Sequence, residues 1–295
     1  MSYYTVRLPS QFNAGTLYPL ISGLLGPNLK PNHQQVYFDF SSLAFIECTG
    51  VTVFANMIDW LVRHGVKCGF INHDNGRDAS RYLDDCGFFL AYLGQALSAQ
   101  AVLRETTMPL MKVQHSDSYA WLERTFRPWL SNILGTNPAS LYSLSASIKE
   151  IFNNIEDHSE QHTGCIHAQW YPKRKRISIG ISDIGIGIPR SIGRKYPGYS
   201  DGEAILFATT EGVTTKSTLR NYGAGLCVLI DYVVKNNGGR IDIRSGFGWA
   251  QCYIDHGKVA KNFNPSGFYP GTIFNITLRT DRIESLIDER ESLEW

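Results

Sequence analysis

The sequence predicts a mixed α/β fold, of the α+β kind, arranged as two domains over residues 1–100 and 108–280. Two observations support this prediction. In the first hundred residues short apolar strands alternate with helical segments, whereas the later residues combine amphipathic helices with consecutive strands. The chain of 295 residues is 43% hydrophobic, which is enough to form two buried cores. Residues 281–295 are predicted to form an acidic C-terminal tail.

The overall charge and the first residues argue against several classes of protein. The 28 basic and 27 acidic residues give a formal net charge of +1, so the composition does not indicate a nucleic-acid partner. Residues 1–10 lack a basic start followed by an apolar run, and no apolar stretch approaches about 20 residues. We therefore expect a cytoplasmic protein without a membrane segment. The six cysteines include no Cys-x-x-Cys pair, which indicates reduced thiols.

The first domain contains a β-α-β pattern. Residues 35–40 are strand-like, residues 50–64 carry apolar side chains at helical spacing, and residues 67–71 resume a strand. Two parallel strands require a crossover of this kind. The remaining predicted elements of this domain are a strand over residues 3–8 and helices over residues 12–25 and 79–85.

The second domain follows a stretch of weak pattern over residues 94–107 and is organised around one amphipathic helix. On one flank of this helix Glu150, Asn154 and His158 follow at four-residue steps. Side chains at this spacing lie one above another, so we expect these three to face a cleft. The apolar residues beside them follow three- and four-residue spacing and predict one buried stripe: Leu141, Leu144, Ile148, Ile151 and Ile155.

A hairpin with a glycine-rich turn follows the helix. Its strands are predicted over residues 165–171 and 176–182, and the second strand ends in Asp183-Ile-Gly-Ile-Gly-Ile-Pro189. Gly185 and Gly187 let the backbone approach a ligand closely or adopt positive φ. The helix and the acidic turn together indicate a nucleotide site. Further strands of a mostly antiparallel sheet are predicted near Ile241, over residues 249–254 and over residues 272–278.

Four motifs occur in an order that resembles a known superfamily. They are Glu150-Ile-Phe-Asn-Asn154, Asp183-Ile-Gly-Ile-Gly-Ile-Pro189, Tyr222-Gly-Ala-Gly-Leu226 and Gly271-Thr-Ile-Phe-Asn-Ile-Thr277. In order and spacing they resemble the ATP-binding domain shared by gyrase, Hsp90, histidine kinases and MutL, the GHKL superfamily. The resemblance covers roughly residues 110–280, and four ordered motifs are more specific than one glycine motif. It implies a Bergerat-type α/β sandwich that binds ATP and Mg²⁺.

The resemblance gives each polar residue of the helix and the turn a role. Glu150 would act as the general base, Asn154 as the Mg²⁺ ligand and His158 as a phosphate contact. A neutral oxygen suits the metal because the triphosphate already brings negative charge, and a carboxylate one turn away can deprotonate an attacking hydroxyl. Asp183 would accept a hydrogen bond from the exocyclic amine of adenine, and Thr272 would lie near the base.

The segment that follows the turn, residues 190–221, is long, polar and glycine-rich. It predicts a mobile lid with one helix near residues 202–208. Within it, Thr214-Thr-Lys216 resembles the lid motif of the superfamily, which would place Lys216 near the terminal phosphate. Gly223 and Gly225 open the next helix, whose N-terminal amides would favour the phosphates.

Residues 36–93 of the first domain resemble the STAS domains of anti-sigma-factor antagonists. The motifs that carry this resemblance are Phe38-Asp-Phe-Ser-Ser-Leu43, Phe45-Ile-Glu-Cys-Thr-Gly50 and Leu83-Asp-Asp-Cys-Gly-Phe88. In that family a hydroxyl residue of the second motif is phosphorylated, which makes Thr49 a candidate regulatory site. The chain departs from the family pattern because Cys48 replaces one of two hydroxyl residues. The alternative is that Thr49 caps the following helix.

A zinc site is the rival interpretation of the histidines. His158, His162, Cys165 and His167 have the side-chain types and spacing of zinc ligands, although the sequence offers no second ligand pair.

The motifs favour one function over its alternatives. Only about 15 residues follow Arg279, so we expect no transducer domain of the gyrase, MutL or Hsp90 kind. His115 lacks the flanking sequence of a histidine-kinase acceptor. We therefore expect a regulatory protein that transfers phosphate to a protein serine or threonine, as anti-sigma-type kinases do. The alternative is an ATP-gated interaction module or slow ATPase. Its partner would be an unidentified protein, with homodimerisation left open, and residues 1–100 would act as a docking or inhibitory module.

Overall fold

The computed structural model describes residues 3–158, 163–213 and 225–282, which form a mixed α/β protein as the sequence predicts. Within these residues, β1, β3 and β5 form a parallel sheet in the order β1-β3-β5, and β2 pairs with β4. In chain order the elements of this first half are β1 (Tyr4–Arg7), β2 (Gln11–Phe12), α1 (Tyr18–Leu24), β3 (Gln35–Asp39), β4 (Phe45–Ile46), α2 (Cys48–Arg63), β5 (Lys67–Ile71), α3 (Asp78–Asp85) and α4 (Phe88–Leu93). The predicted β-α-β unit is confirmed, with α2 as its crossover.

Helix α2 is buried along almost its whole length. The parallel sheet packs on one side of it and the second sheet packs on the other. The helix begins at Cys48, and its N-cap residue, Glu47, makes no side-chain capping hydrogen bond. Thr49 therefore lies inside the first turn, and the interpretation that Thr49 caps the helix is wrong. Gly65 follows the helix with φ +79°, a left-handed conformation that glycine adopts without strain.

The second half of the chain builds a five-stranded sheet, in which every neighbouring pair of the described strands is antiparallel, in the order β6-β7-β8-β10-β9. In chain order its elements are β6 (Thr107–Gln114), α5 (His115–Trp121), α6 (Arg127–Leu134), α7 (Tyr142–His158), β7 (Thr163–Tyr171), β8 (Arg176–Ser182), α8 (Gly187–Lys195), α9 (Asp201–Ala208), α10 (Gly225–Ile230), β9 (Arg240–Asp255) and β10 (Lys258–Arg279). The predicted hairpin is confirmed as β7 and β8.

The long strand β9 bends at a glycine. Gly246 has φ +58°, and the register between β9 and β10 shifts opposite the bend. Beyond it, Trp249 Nε1 and Gln251 Nε2 donate to Asp242 Oδ1 at 3.2 and 3.0 Å. The outer half of β9 therefore folds back over its inner half, and the two strands predicted in this region are one bent strand.

Helices cover one face of the second sheet. The five apolar residues of the stripe predicted for α7 are buried, and they pack with Ile177, Ile179 and Ile181 of β8 in one apolar cluster. Because the side chains of a strand alternate between its two faces, these isoleucines leave the intervening residues of β8 on the opposite face. No helix among the described residues is long and apolar enough to cross a membrane.

The first half of the chain covers the opposite face. A Cβ on Gly180 of β8 would lie 2.7 Å from the backbone nitrogen of Thr49, so the start of α2 lies directly on the strand. Ile184, Tyr269 and Ile273 belong to the apolar cluster that forms the core of the first sheet. The two predicted domains therefore contact each other through a shared core.

Residues 190–208 contain more regular structure than the predicted lid. The helix predicted near residues 202–208 is confirmed as α9, and Ser200 and Glu203 form a capping box at its start. Ile192 of α8 and Ile205 of α9 are buried. Residues 187–208 therefore contain two helices with buried side chains, where the sequence predicted one helix. Residues 214–221 of the predicted lid lie outside the described residues.

Candidate functional site

Three predicted residues meet at the end of β8. Asp183 follows the last residue of this strand, and antiparallel pairing brings Thr272 of β10 beside it. The backbone nitrogen of Asp183 donates to Thr272 O at 3.0 Å, and the backbone nitrogen of Thr272 donates to Asp183 Oδ1 at 2.8 Å. Gly187 begins α8 four residues further on. The sheet register thus places a buried carboxyl group at the first residue of a glycine-rich turn.

The carboxyl group of Asp183 has unusual electrostatics. Its residue is only 3% exposed. Burial raises the pKa of Asp183 to about 7, while the hydrogen bond from the Thr272 amide opposes this rise. A carboxyl group in this position gains from any ligand that donates a hydrogen bond, because such a donor compensates for the lost contact with water.

Two glycines allow the turn to pack closely on β10. Gly187 has φ +75°, and a Cβ there would lie 2.5 Å from Ser245 Oγ and 2.9 Å from Gly271 O. Gly271 has φ +113°, and a Cβ there would contact Asp183 O and would lie 2.8 Å from the backbone nitrogen of Gly185. Both positions require glycine, since a side chain would push the turn and the strand apart.

Ser245 joins the turn to the sheet. Its hydroxyl donates to Gly271 O at 2.5 Å and accepts from the Ile188 amide at 3.0 Å. It also lies 3.3 Å from Thr272 Oγ1. Sequence reasoning did not identify Ser245, because it lies on β9 between the third and fourth motifs and a single buried serine carries no local signal.

Tyr269 is a second residue that sequence reasoning missed. It is fully buried, and its hydroxyl donates to Asp183 O at 2.9 Å. The bend of β10 brings this side chain beneath the turn, and no periodic pattern in the sequence encodes that bend.

Helix α7 carries the predicted catalytic flank. Glu150 is half-buried, and Asn153 Nδ2 donates to its Oε1 at 2.8 Å. Asn154 and His158 continue the same helix at four-residue steps, so the backbone places all three residues on one flank as predicted. The structure does not describe the side chains of Asn154 and His158. Helix α7 contacts both α8 and α10, the helices that follow the two glycine motifs.

The structure describes one of the three remaining predicted residues. Gly225 is the first residue of α10. Lys216 and Gly223 lie outside the described residues, so their predicted phosphate contacts stay predictions.

Of the four residues of the rival zinc site, the structure describes the side chains of Cys165 and His167, whereas His162 lies outside the described residues. Cys165 Sγ donates to Asn56 Oδ1 at 2.9 Å, and burial raises the pKa of this thiol to about 12. His167 Nε2 lies 2.7 Å from Tyr82 Oη, and burial lowers the pKa of His167 to about 4. Both side chains face the first half of the chain. No group of three His, Cys, Asp or Glu side chains in the described part of the chain is placed to hold a metal ion.

Thr49, the candidate phosphorylation site, is completely buried in the first turn of α2, whose backbone packs on Gly180 of β8. Its hydroxyl has no hydrogen-bond partner among the described residues. A kinase could reach this oxygen only after the residues that bury it had moved apart.

Comparison with known proteins adds no assignment. The chain matches no family model and no curated protein.

Proposed function

We propose that the chain is an ATP- and Mg²⁺-binding regulatory protein of the GHKL type, with a Bergerat-type second domain and a STAS-like first domain. One observation carries the proposal. A buried carboxyl group lies at the end of β8, directly before a glycine-rich turn that packs against β10 without space for a side chain at Gly187. This arrangement suits a flat ligand that carries a hydrogen-bond donor and must approach the backbone closely.

Adenine fits this chemistry better than guanine. Its exocyclic amine would donate to Asp183, whereas guanine presents a carbonyl oxygen at the equivalent position and would repel a carboxylate. Thr272 would contact the base beside Asp183. Gly185 and Gly187 would line its edge through their backbone.

The triphosphate would extend from the turn toward α7. Asn154 would supply one neutral oxygen to Mg²⁺, and His158 would contact a phosphate oxygen. The phosphates would be neutralised by Lys216 and would accept hydrogen bonds from the backbone amides of Gly223 and Gly225. These assignments follow from the motif resemblance, and the common flank of α7 supports the first two.

Phosphoryl transfer to a protein serine or threonine is the leading activity. Glu150 would remove the proton of the acceptor hydroxyl, whose oxygen would bond to the γ-phosphorus as the bond to the leaving ADP breaks. A gated interaction module or slow ATPase is the second candidate. The direct packing of α2 on the nucleotide-binding sheet favours it, because ligand binding can then change the first domain without any transfer.

Labelled nucleotide separates these activities. Incubation with ATP labelled at the γ-phosphate and Mg²⁺ would place label on a protein for a kinase and release free phosphate for an ATPase. Retention of intact ATP would identify the gated module. An adenosine titration tests the site itself: Asp183→Asn is expected to weaken binding more than tenfold, at a cost of about 2–3 kcal/mol. Unchanged affinity would refute the adenine assignment.

We also propose that residues 1–100 are a docking or inhibitory module for a protein partner rather than a phosphorylated substrate. The complete burial of Thr49 supports this role. The intact mass of the protein after incubation with ATP and Mg²⁺ should therefore stay unchanged. One added phosphate that disappears in a Thr49→Ala variant would restore the phosphorylation hypothesis.

A further inference from the structure

We infer that Asn56, in helix α2 of the first domain, is a positioning residue for Asp183. The first domain would then form part of the support of the nucleotide site. This inference rests on the proposed function, because it assigns to the first domain a direct effect on the affinity of that site.

Asn56 connects α2 to the last residue of β8. Its side chain is almost completely buried, and Nδ2 donates to Ser182 O at 2.8 Å and to Ser182 Oγ at 2.7 Å. Its Oδ1 accepts from Cys165 Sγ at 2.9 Å. Cys165 and Ser182 are register partners on β7 and β8, so one amide group is fixed over both strands. Ser182 directly precedes Asp183.

The residue after Asp183 is held by the first domain as well. Ile184 is buried in the apolar cluster that contains Phe54 and Met57 of α2. Tyr269 belongs to the same cluster, and its hydroxyl donates to Asp183 O. The backbone on both sides of Asp183 therefore contacts the first domain, while Asp183 itself is held by hydrogen bonds from Tyr269 and Thr272 of β10.

This arrangement makes the position of the carboxyl group depend on α2. Loss of the Asn56 side chain would leave Ser182 Oγ and the thiol of Cys165 without their buried partner. The end of β8 would then shift or open to satisfy these groups. Coupling of this kind is reciprocal, so a ligand bound to Asp183 would also strengthen the contact of α2 with β8.

A matched pair of variants separates positioning from general stability. Asn56→Ala removes the contact at Ser182. Tyr82→Phe removes buried hydrogen bonds to His167 and Gln169 on β7, across the same interface but away from Asp183. Adenosine affinity of the complete chain is expected to fall about tenfold in Asn56→Ala and to change less than twofold in Tyr82→Phe.

Hydrogen exchange of the ligand-free protein supplies a readout that does not need a nucleotide. The amides of residues 183–187 should exchange faster in Asn56→Ala than in the wild type, and Tyr82→Phe should leave them unchanged. Should Asn56→Ala fail to fold, Cys165→Ala provides the milder test, because it keeps Asn56 but removes the donor to its Oδ1.

The outcomes are distinct. If adenosine does not bind the wild type, the proposed function fails, and the exchange comparison alone decides the role of Asn56. If adenosine binds and Asp183→Asn abolishes binding, but Asn56→Ala retains both wild-type affinity and wild-type exchange, the positioning role is wrong. Equal effects of Asn56→Ala and Tyr82→Phe would also overturn it, since they would show a loss of general stability.

Discussion

An Asp183→Asn substitution should raise the stability of the ligand-free protein at alkaline pH. Burial raises the pKa of Asp183 from 3.8 to about 7. Between these two pH values the folded protein binds this proton and the unfolded chain does not. The stability that the protonated carboxyl group contributes is therefore complete below pH 3.8 and is lost as the pH rises through about 7. The shift corresponds to about 4 kcal/mol.

Asparagine removes this cost and keeps the main hydrogen bond. Its side-chain oxygen can still accept from the Thr272 amide, but the group carries no charge at any pH. Above pH 8 the variant should therefore be more stable than the wild type by up to about 4 kcal/mol, and it should lose the decline in stability between pH 4 and 7. The side-chain NH₂ group of the new asparagine would, however, face the exocyclic amine of adenine, and both groups are hydrogen-bond donors. The substitution should therefore raise stability and weaken adenosine binding.

Chemical denaturation at pH 5 and pH 8, with adenosine calorimetry at both values, measures the two effects. Adenosine is the suitable probe because it has no phosphate that titrates in this range. Asp84→Asn is a matched control, because Asp84 is also buried and accepts from the Leu97 and Ser98 amides at 2.8 and 2.9 Å. It should lose stability at both pH values and keep its adenosine affinity. A lower stability of Asp183→Asn at pH 8 would refute the electrostatic reasoning.

Three further predictions concern the phosphates and the turn. Glu150→Ala should bind ATP normally but lose turnover, whereas Asn154→Ala should lose the Mg²⁺-dependent part of ATP affinity. Full turnover of labelled ATP by Glu150→Ala would exclude the general-base role. Lys216→Ala should weaken binding of ATP but not of adenosine, since its predicted partner is a phosphate, and equal effects in two parallel titrations would contradict this placement. Gly187→Ala should destabilise the protein by about 1–3 kcal/mol, because φ is +75° and the new methyl group would contact Ser245 Oγ; an unchanged thermal midpoint would contradict the close packing.

The elements that were predictable are those with local periodicity. The apolar stripe of α7 and the alternating isoleucines of β8 were readable because helix and strand side chains repeat at different intervals. The same two patterns correctly predicted that Glu150 lies on α7 and that Asp183 directly follows β8.

The missed features depend on contacts between distant segments. Ser245, Tyr269 and Asn56 reach the Asp183 turn from β9, β10 and α2, and nothing in their own neighbourhoods identifies them. The fold-back of β9 likewise depends on glycine conformations and on hydrogen bonds to Asp242. The N-terminal boundary of α2 was misjudged because the helix extends to Cys48 without a side-chain cap, so no capping residue marks its start.

Parallel titration of the protein with ATP and GTP at pH 8, where the Asp183 carboxyl group is mostly ionised, each with Mg²⁺, tests most directly whether the Asp183 turn binds an adenine nucleotide. We expect saturable binding of ATP and affinity for GTP at least about tenfold lower, because the carbonyl oxygen of guanine would face the Asp183 carboxyl group. Equal affinities for the two nucleotides, or no binding of ATP at millimolar concentration, would contradict the assignment.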